Sequence, residues 1–361
     1  SGFSFQYGLG SDRGVGDGIN LADAATDVLI EGNTFTNWAH NAIELLGDCS
    51  ACVGVNRVRI LNNEVSAPDI PYAHPIGMDG ILDKCRDNEV TGNDFSQCRT
   101  ASQINGNNNL VRYNIIRNQR QTTAKADASA HGITLAIYGP DLVCQDNRYE
   151  FNLIYDTDES GFLIRNYGHP NNTVQGNIIQ NNIIVNAGLD PYQNRYPVGT
   201  GVLLHSGFNV GNNTIRNNLY FNTNGLTNAV HDPDASASFT FTQFNQQNGV
   251  DGNTVSENID GDPLLADLAG GDYTPLASSR VINAGASSSS ALTVVGSAPD
   301  IGPIESDGVI FYVEVSQWFP SIAAAVAAVP TGTAATLEIL AGSYLEPIDT
   351  GDKEITVRIV E

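Results

Sequence analysis

Four of the six histidines, His74, His131, His169 and His205, fall in or beside a set of short, similar segments, as does Lys84, one of three lysines. Side chains of these types move protons. Taking a proton from a carbon next to a carboxylate and expelling an oxygen leaving group has three requirements. A cation or amide neutralises the carboxylate, a base takes the proton, and an acid or water serves the departing oxygen. Lys84, Arg165, His131 and Tyr138 have the types for the base and acid roles. Glu44, Asp79 and Asn105 carry oxygens of the kind that hold Ca2+. Each has a plainer reading: Lys84 as a solvated lysine, His131 as a corner residue bonding backbone, and Asp79, before a glycine, as a turn residue.

These residues can act together only if the fold stacks them. Seven segments share nearly one wording: Asp17-Gly-Ile-Asn-Leu21, Asn41-Ala-Ile-Glu-Leu45, Asp79-Gly-Ile-Leu-Asp83, Ser102-Gln-Ile-Asn105, His131-Gly-Ile-Thr-Leu135, Ser160-Gly-Phe-Leu-Ile164 and Thr200-Gly-Val-Leu-Leu204. A second alternating run follows each, such as Asn172-Thr-Val-Gln-Gly-Asn177, and then an apolar pair such as Ile178-Ile179. Apolar–polar alternation marks half-buried strands, and self-similarity at this period marks a solenoid. Asn at the bends suits tight corners and can pass amide hydrogen bonds from coil to coil. The expected fold is all-β: a right-handed parallel β-helix with three strands per coil.

In that fold the central residues Ile19, Ile43, Ile81, Ile104, Ile133, Phe162 and Val202 point inward. Their neighbours one and three positions on point outward. One face then gathers Glu44, Asp79, Asp83, Lys84, Asn105, His131, Arg165 and His205, with His74, Tyr138, Asp158, Glu159 and His169 on flanking loops. Inserts at 66–78, 119–130 and 187–199 enter at one corner and wall a groove, bringing Arg195 and Tyr196. His74, Asp79, Asp83, Asn105, His169, Arg195, Tyr196 and His205 are the expected substrate-binding residues.

The net charge of −23, from 17 basic and 40 acidic residues, disfavours nucleic acid as a partner. It suits a soluble or secreted protein, and no apolar run is long enough for a membrane span. The start, Ser1-Gly-Phe-Ser-Phe5, reads as a strand from which a leader has been removed. Cys49 or Cys52 could bridge to Cys85 across adjacent coils; a zinc site or free thiols are the alternatives. The solenoid is expected over 1–260, an irregular closing segment over 261–310, and a cap with a short helix and strands over 311–361. The tail has three readings: a permuted chain order, a fragment of a tandem protein, or a cap on a solenoid end, its own or a neighbour's; as a cap, either residues 222–310 run back alongside or chains exchange tails and form a homo-oligomer.

Residues 1–260 resemble the right-handed β-helix class of polysaccharide-active proteins, which includes pectate lyase-like enzymes, alginate lyases, chondroitinase B relatives and mannuronan epimerases. Gly80-Ile-Leu-Asp-Lys84-Cys-Arg-Asp-Asn88, with Asn93-Asp-Phe95 and Gly106-Asn107, is similar to a stretch of the alginate lyase and chondroitinase B family. Lys84 matches that family's lysine base. Its arginine and histidine slots fall on Ile104 and Asn105, and His131-Gly132 comes one coil later. Asp262-Pro-Leu-Leu265 and Pro299-Asp-Ile-Gly-Pro-Ile-Glu305 resemble the closing segment of bacterial secreted β-helix proteins, and residues 311–361 resemble their opening. The resemblance implies an extracellular protein acting on polysaccharide, by elimination from a uronic-acid polymer. C5 epimerisation would share the proton abstraction. Hydrolysis would instead use paired carboxylates, Asp79 with Asp83 or Asp158 with Glu159. A non-catalytic glycan binder would stack sugars on Trp38, Tyr138, Tyr167, Tyr192 and Tyr196.

Overall fold

The computed structural model describes residues 4–6, 18–22, 24–38, 41–47, 54–68, 74–80, 85–98, 102–104, 106–120, 130–137, 143–166, 168, 172–191, 196–205, 210–276, 279–289, 298–304, 310–312, 317–319, 322–340 and 353–360. The chain forms two compact units, Ser1–Asp262 and Pro263–Glu361.

The first unit is a parallel β-helix. The sheet that bears the site runs β1 (Ile19–Ala22), β2 (Asn41–Gly47), β3 (His74–Gly80), β4 (Ser102–Ile104), β5 (Ile133–Ile137), β6 (Phe162–Asn166), β7 (Val202–Leu204), β8 (Val230–Asp232) and β9 (Ala237–Phe239), in that spatial order. All pairs are parallel except β8 with β9. An eight-stranded stack runs from Leu29–Glu31 to Thr254–Ser256, and a nine-stranded stack from Ser4–Gln6 to Ile259–Asp260. A narrow six-stranded stack, including Val55–Asn56 and Val210–Gly211, fills the corner between the first two sheets. Alternation along each strand sends one residue in two to a continuous core: Ile60, Val90, Val111, Tyr149, Ile179 and Ile215 from one sheet, Phe35, Val65, Phe95, Ile116, Ile154 and Ile184 from another.

The register of the site-bearing sheet is Ile19, Ile43, Ile76, Ser102, Ile133, Phe162, Val202 and Val230. Five of the seven expected centres therefore align, and two do not. Ile76 takes the place assigned to Ile81, and Ser102 the place assigned to Ile104. The physical reason lies two residues further along. Ile43, Ile133, Phe162 and Val202 are followed at that position by Leu45, Leu135, Ile164 and Leu204, all buried. Centring on Ile81 would have set Asp83 in that inward slot, at the cost of burying a carboxylate. Centring on Ile76 puts Met78 in backbone register with Leu45 and Ile104.

The asparagines are ladders of amides inside the corners. Asn33, Asn63, Asn93, Asn114, Asn152, Asn182, Asn218 and Asn258 form one column, in which each Oδ1 accepts the main-chain N–H of the previous member at 2.9–3.1 Å. Asn88, Asn109, Asn147, Asn177, Asn213 and Asn253 form the other. The left-handed residue is the one before each ladder Asn, as at Asn62, Tyr113, Phe151 and Asn181. The ladder Asn itself is buried, so its role is to satisfy main-chain groups that the corner leaves unpaired.

The last coil departs from the repeat. After the β8–β9 hairpin comes α1 (Phe241–Phe244), whose N-terminus is held by a Thr240–Gln243 capping box and by Asp260 accepting from Phe241 N and Thr242 N. Phe241 and Phe244 are buried, and Thr254–Ser256 and Ile259–Asp260 continue the outer stacks. In the second unit Leu265–Asp267 and Asp272–Pro275 form a hairpin. Ile310–Tyr312 pairs antiparallel with Gln317–Phe319 and Ala334–Leu340, and Ala334–Leu340 pairs parallel with Glu354–Val360. The expected short helix is α2 (Ile322–Ala328).

Cys85, Cys98 and Cys144 are buried and are in no disulfide, so the bridge to Cys85 is not formed. Cys49 and Cys52 lie outside the described residues. Cys85 and Cys144 flank Gly106 in adjacent coils. A Cβ on Gly106, whose φ is +103°, would lie 2.0 Å from the Cys85 carbonyl oxygen.

Candidate functional site

Two outward columns follow from the register. One holds Asn20, Glu44, Gly77, Gln103, Thr134, Leu163, Leu203 and His231. Two residues further along, the other holds Ala22, Leu46, Asp79, Ala136 and Arg165, followed by His205, whose N–H donates to the Ile164 carbonyl at 3.0 Å. Arg165 and His205 thus stand side by side on neighbouring strands, about 4.8 Å apart in backbone spacing. This is the adjacency that stacking predicts.

The surroundings of His205 are the most chemically suggestive among the described residues. Its Nδ1 lies 3.5 Å from Asp234 Oδ1, and the side chain is mostly covered. Burial and the neighbouring Arg165 charge push its pKa below the usual histidine value, while Asp234 and Asp232 pull the other way without prevailing. The ring is therefore neutral near pH 7, with Nδ1 directed to the carboxylate; Nε2 has no hydrogen-bond partner among the described residues. Asp234 is brought in by the β8–β9 turn. Asp232 Oδ1 accepts from Asp234 N at 3.0 Å and Ala235 N at 3.2 Å, and Ser236 takes φ +53°. Sequence reasoning missed Asp234. The available signal was Asp232-Pro-Asp-Ala-Ser236, whose first aspartate is a typical turn former.

His131 sits elsewhere. It was expected on the outward face, but it lies two residues before Ile133 and so shares that residue's inward parity. It is buried at the corner, with Nδ1 2.8 Å from Ser160 Oγ, while Ser160 Oγ donates to the Phe162 carbonyl at 2.7 Å. It is a corner residue, as in the plainer reading, but its Nδ1 meets a side-chain hydroxyl and not backbone. Glu44 is buried in the outward column and accepts from Asn20 Nδ2 at 2.7 Å and Asn41 Nδ2 at 3.1 Å. Asp79 pairs in register with Leu46, one strand and two residues from Glu44. Among the described residues no three acidic, histidine or cysteine side chains converge as a metal site.

Tyr196 is buried against Ala136, Leu163 and Leu203. Its hydroxyl and that of Thr134 have no hydrogen-bond partner among the described residues. Asp158 is paired with Arg120 at 3.1 Å, and Glu159 beside it is buried. Trp38 is buried in the core, which removes it as a stacking surface. Lys84, Asp83, Asn105, Tyr138, Tyr167, His169, Tyr192 and Arg195 lie outside the described residues, and of His74 and Asp79 only the backbone is described.

Comparison with known proteins adds a family. The family described as "Right handed beta helix region" matches residues 17–219. No curated protein matches the chain. Among solved structures, the crystal structure of pectate lyase Pel9A is similar at 13% identity and a TM-score of 0.40, over 84% of this chain and 86% of that one. HetL, a pentapeptide repeat protein from the cyanobacterium Nostoc sp. strain PCC 7120, is similar at 9% identity and a TM-score of 0.15, over 65% of this chain and 91% of that one.

Proposed function

The chain belongs to the right-handed β-helix family, and from that premise we propose that it binds an acidic polysaccharide outside the cell and cleaves it by β-elimination at Arg165 and His205. The observation that supports this is the side-by-side placement of the two residues, with Asp234 against the histidine's Nδ1. The Arg165 guanidinium pairs with the carboxylate of a uronic-acid residue and draws charge away from C5. Neutral His205 takes the C5 proton on Nε2. The electron pair left behind forms the C4–C5 double bond as the C4–oxygen bond breaks, and water protonates the departing oxygen. Asp234 stabilises the imidazolium that forms, as an acidic partner does for a histidine base. No step is routed through calcium.

The test is incubation with polygalacturonate and alginate, followed by ultraviolet absorbance of the unsaturated product and by reducing ends. Both signals should rise in wild type and vanish in R165M and H205Q. Reducing ends alone would indicate hydrolysis. Neither signal, with sugar bound, would indicate epimerisation or binding only.

A further inference from the structure

Resting on that reading of the site, we propose that His231 is a second sugar-binding histidine, presenting Nε2 to a hydroxyl of the unit that adjoins the one held by Arg165. The repeat is broken at this point of the chain. In place of a further parallel strand, β8 turns back into the antiparallel β9. The hairpin sets Ser238 opposite His231 in register, and His231 Nδ1 lies 2.9 Å from Ser238 Oγ. The same hairpin brings Asp234 Oδ1 to 3.5 Å from His205 Nδ1. Two imidazoles are thus held at Nδ1 by one hairpin, and neither Nε2 has a hydrogen-bond partner among the described residues. A ring fixed through one nitrogen presents the other in a set direction.

The position of His231 favours a ligand over a purely structural pair. It continues the outward column after Leu163 and Leu203. Those two are 2% and 4% exposed, whereas His231 is partly open and Ser238 beyond it is exposed. The column therefore turns from apolar and covered to polar and accessible where the reactive pair stands. Leu203 lies two residues before His205 and pairs with His231, so the two histidines are one strand and two residues apart on one face. At about 4.8 Å between strands and about 3.3 Å per residue, their Cα atoms are roughly 8 Å apart. Outward side chains at that spacing bracket a ligand instead of bonding each other.

The chemistry selects a hydroxyl as the group bound. Burial holds the His231 ring below the usual histidine pKa, so it is neutral near pH 7 and offers a carboxylate no charge. With Nδ1 against the Ser238 hydroxyl, Nε2 accepts in one tautomer and donates in the other. A sugar hydroxyl, both donor and acceptor, satisfies either; a carboxylate satisfies only one.

The test uses the full chain carrying H205Q, in which turnover is blocked. Galacturonate, its dimer and its trimer, and the mannuronate counterparts, are titrated in and affinity is read by NMR. A dimer of the preferred sugar should bind more tightly than its monomer and shift the His231 ring signals. Adding H231A should weaken the dimer by about five- to tenfold, the size of one neutral hydrogen bond, and leave the monomer within about twofold. H231Q, which keeps a polar tip, should recover most of the loss, and S238A, which frees the ring without removing it, should fall between. Dimer affinity unchanged by H231A, equal losses for monomer and dimer, or no binding of any of these sugars overturns the proposal. Weaker dimer binding in H231A, beside no unsaturated product from the chain with His205 intact, would sink the elimination chemistry and leave the sugar contact standing.

Discussion

Replacing Asn147 by alanine removes one rung of an amide ladder, and its cost can be worked out from the structure. The side chain is fully buried. Asn109 N and Asn109 Nδ2 donate to its Oδ1 at 2.9 and 3.0 Å, and its Nδ2 donates to the Gly106 carbonyl and to Asn177 Oδ1, both at 3.0 Å. Each such bond contributes roughly 1 kcal/mol net, and more when the group left behind is buried without a partner, as Asn109 N–H would be. The expected loss is about 4 kcal/mol, roughly a thousandfold in the unfolding constant. Asn212, exposed at a corner with φ +54°, gives the control. N212G keeps the left-handed corner and should stay within about 0.5 kcal/mol of wild type. Urea unfolding followed by far-ultraviolet circular dichroism measures both, with midpoint and slope read separately. An N147A variant within about 1 kcal/mol of wild type would show that the ladder does not stabilise the stack.

R165M and H205Q should each lower kcat by about 10²–10³-fold with unchanged circular dichroism, as losses of a charge stabiliser and of a base do. The depressed His205 pKa means that the folded state binds fewer protons than the unfolded state just below pH 6.5. Stability from this group is therefore intact above pH 6.5 and falls as pH drops through the folded pKa, a loss that H205Q should lack in thermal melts across pH 4–8. The acid limb of the kcat profile should fall in the same window. Burial raises the Cys144 thiol to about 12 and Cys98 still further. Iodoacetamide at about pH 8 should therefore leave Cys85, Cys98 and Cys144 unlabelled until urea unfolds the chain; labelling in the native state would contradict the buried placement.

Much of the solenoid could be read directly because its signals are periodic and local. Ile43, Ile133, Phe162 and Val202 announce an inward column, and the recurring Asn at corners announces ladders. The slip at Ile81 arose because Asp79-Gly80-Ile81 copies the wording of a first strand, while the strand that forms centres on buried Ile76. Parity explains His131 as well: two positions before an inward residue is again inward. The Arg165–His205 pairing was legible, since both lie three residues after inward centres. Asp234 was not, because it arrives on a hairpin that breaks the repeat, and the buried cluster of Tyr196 with Ala136, Leu163 and Leu203 was not, because Tyr196 comes from an insert with no periodic signal.

The central claim, that stacked coils place Arg165 and Asp234 against His205 as one site, is tested most directly by titrating the His205 ring by NMR in wild type, R165M and D234N. Removing the Arg165 charge should raise the His205 pKa, and removing the Asp234 charge should lower it further. If neither variant moves that pKa, the three residues are not neighbours in the way described, and the proposed site fails with them.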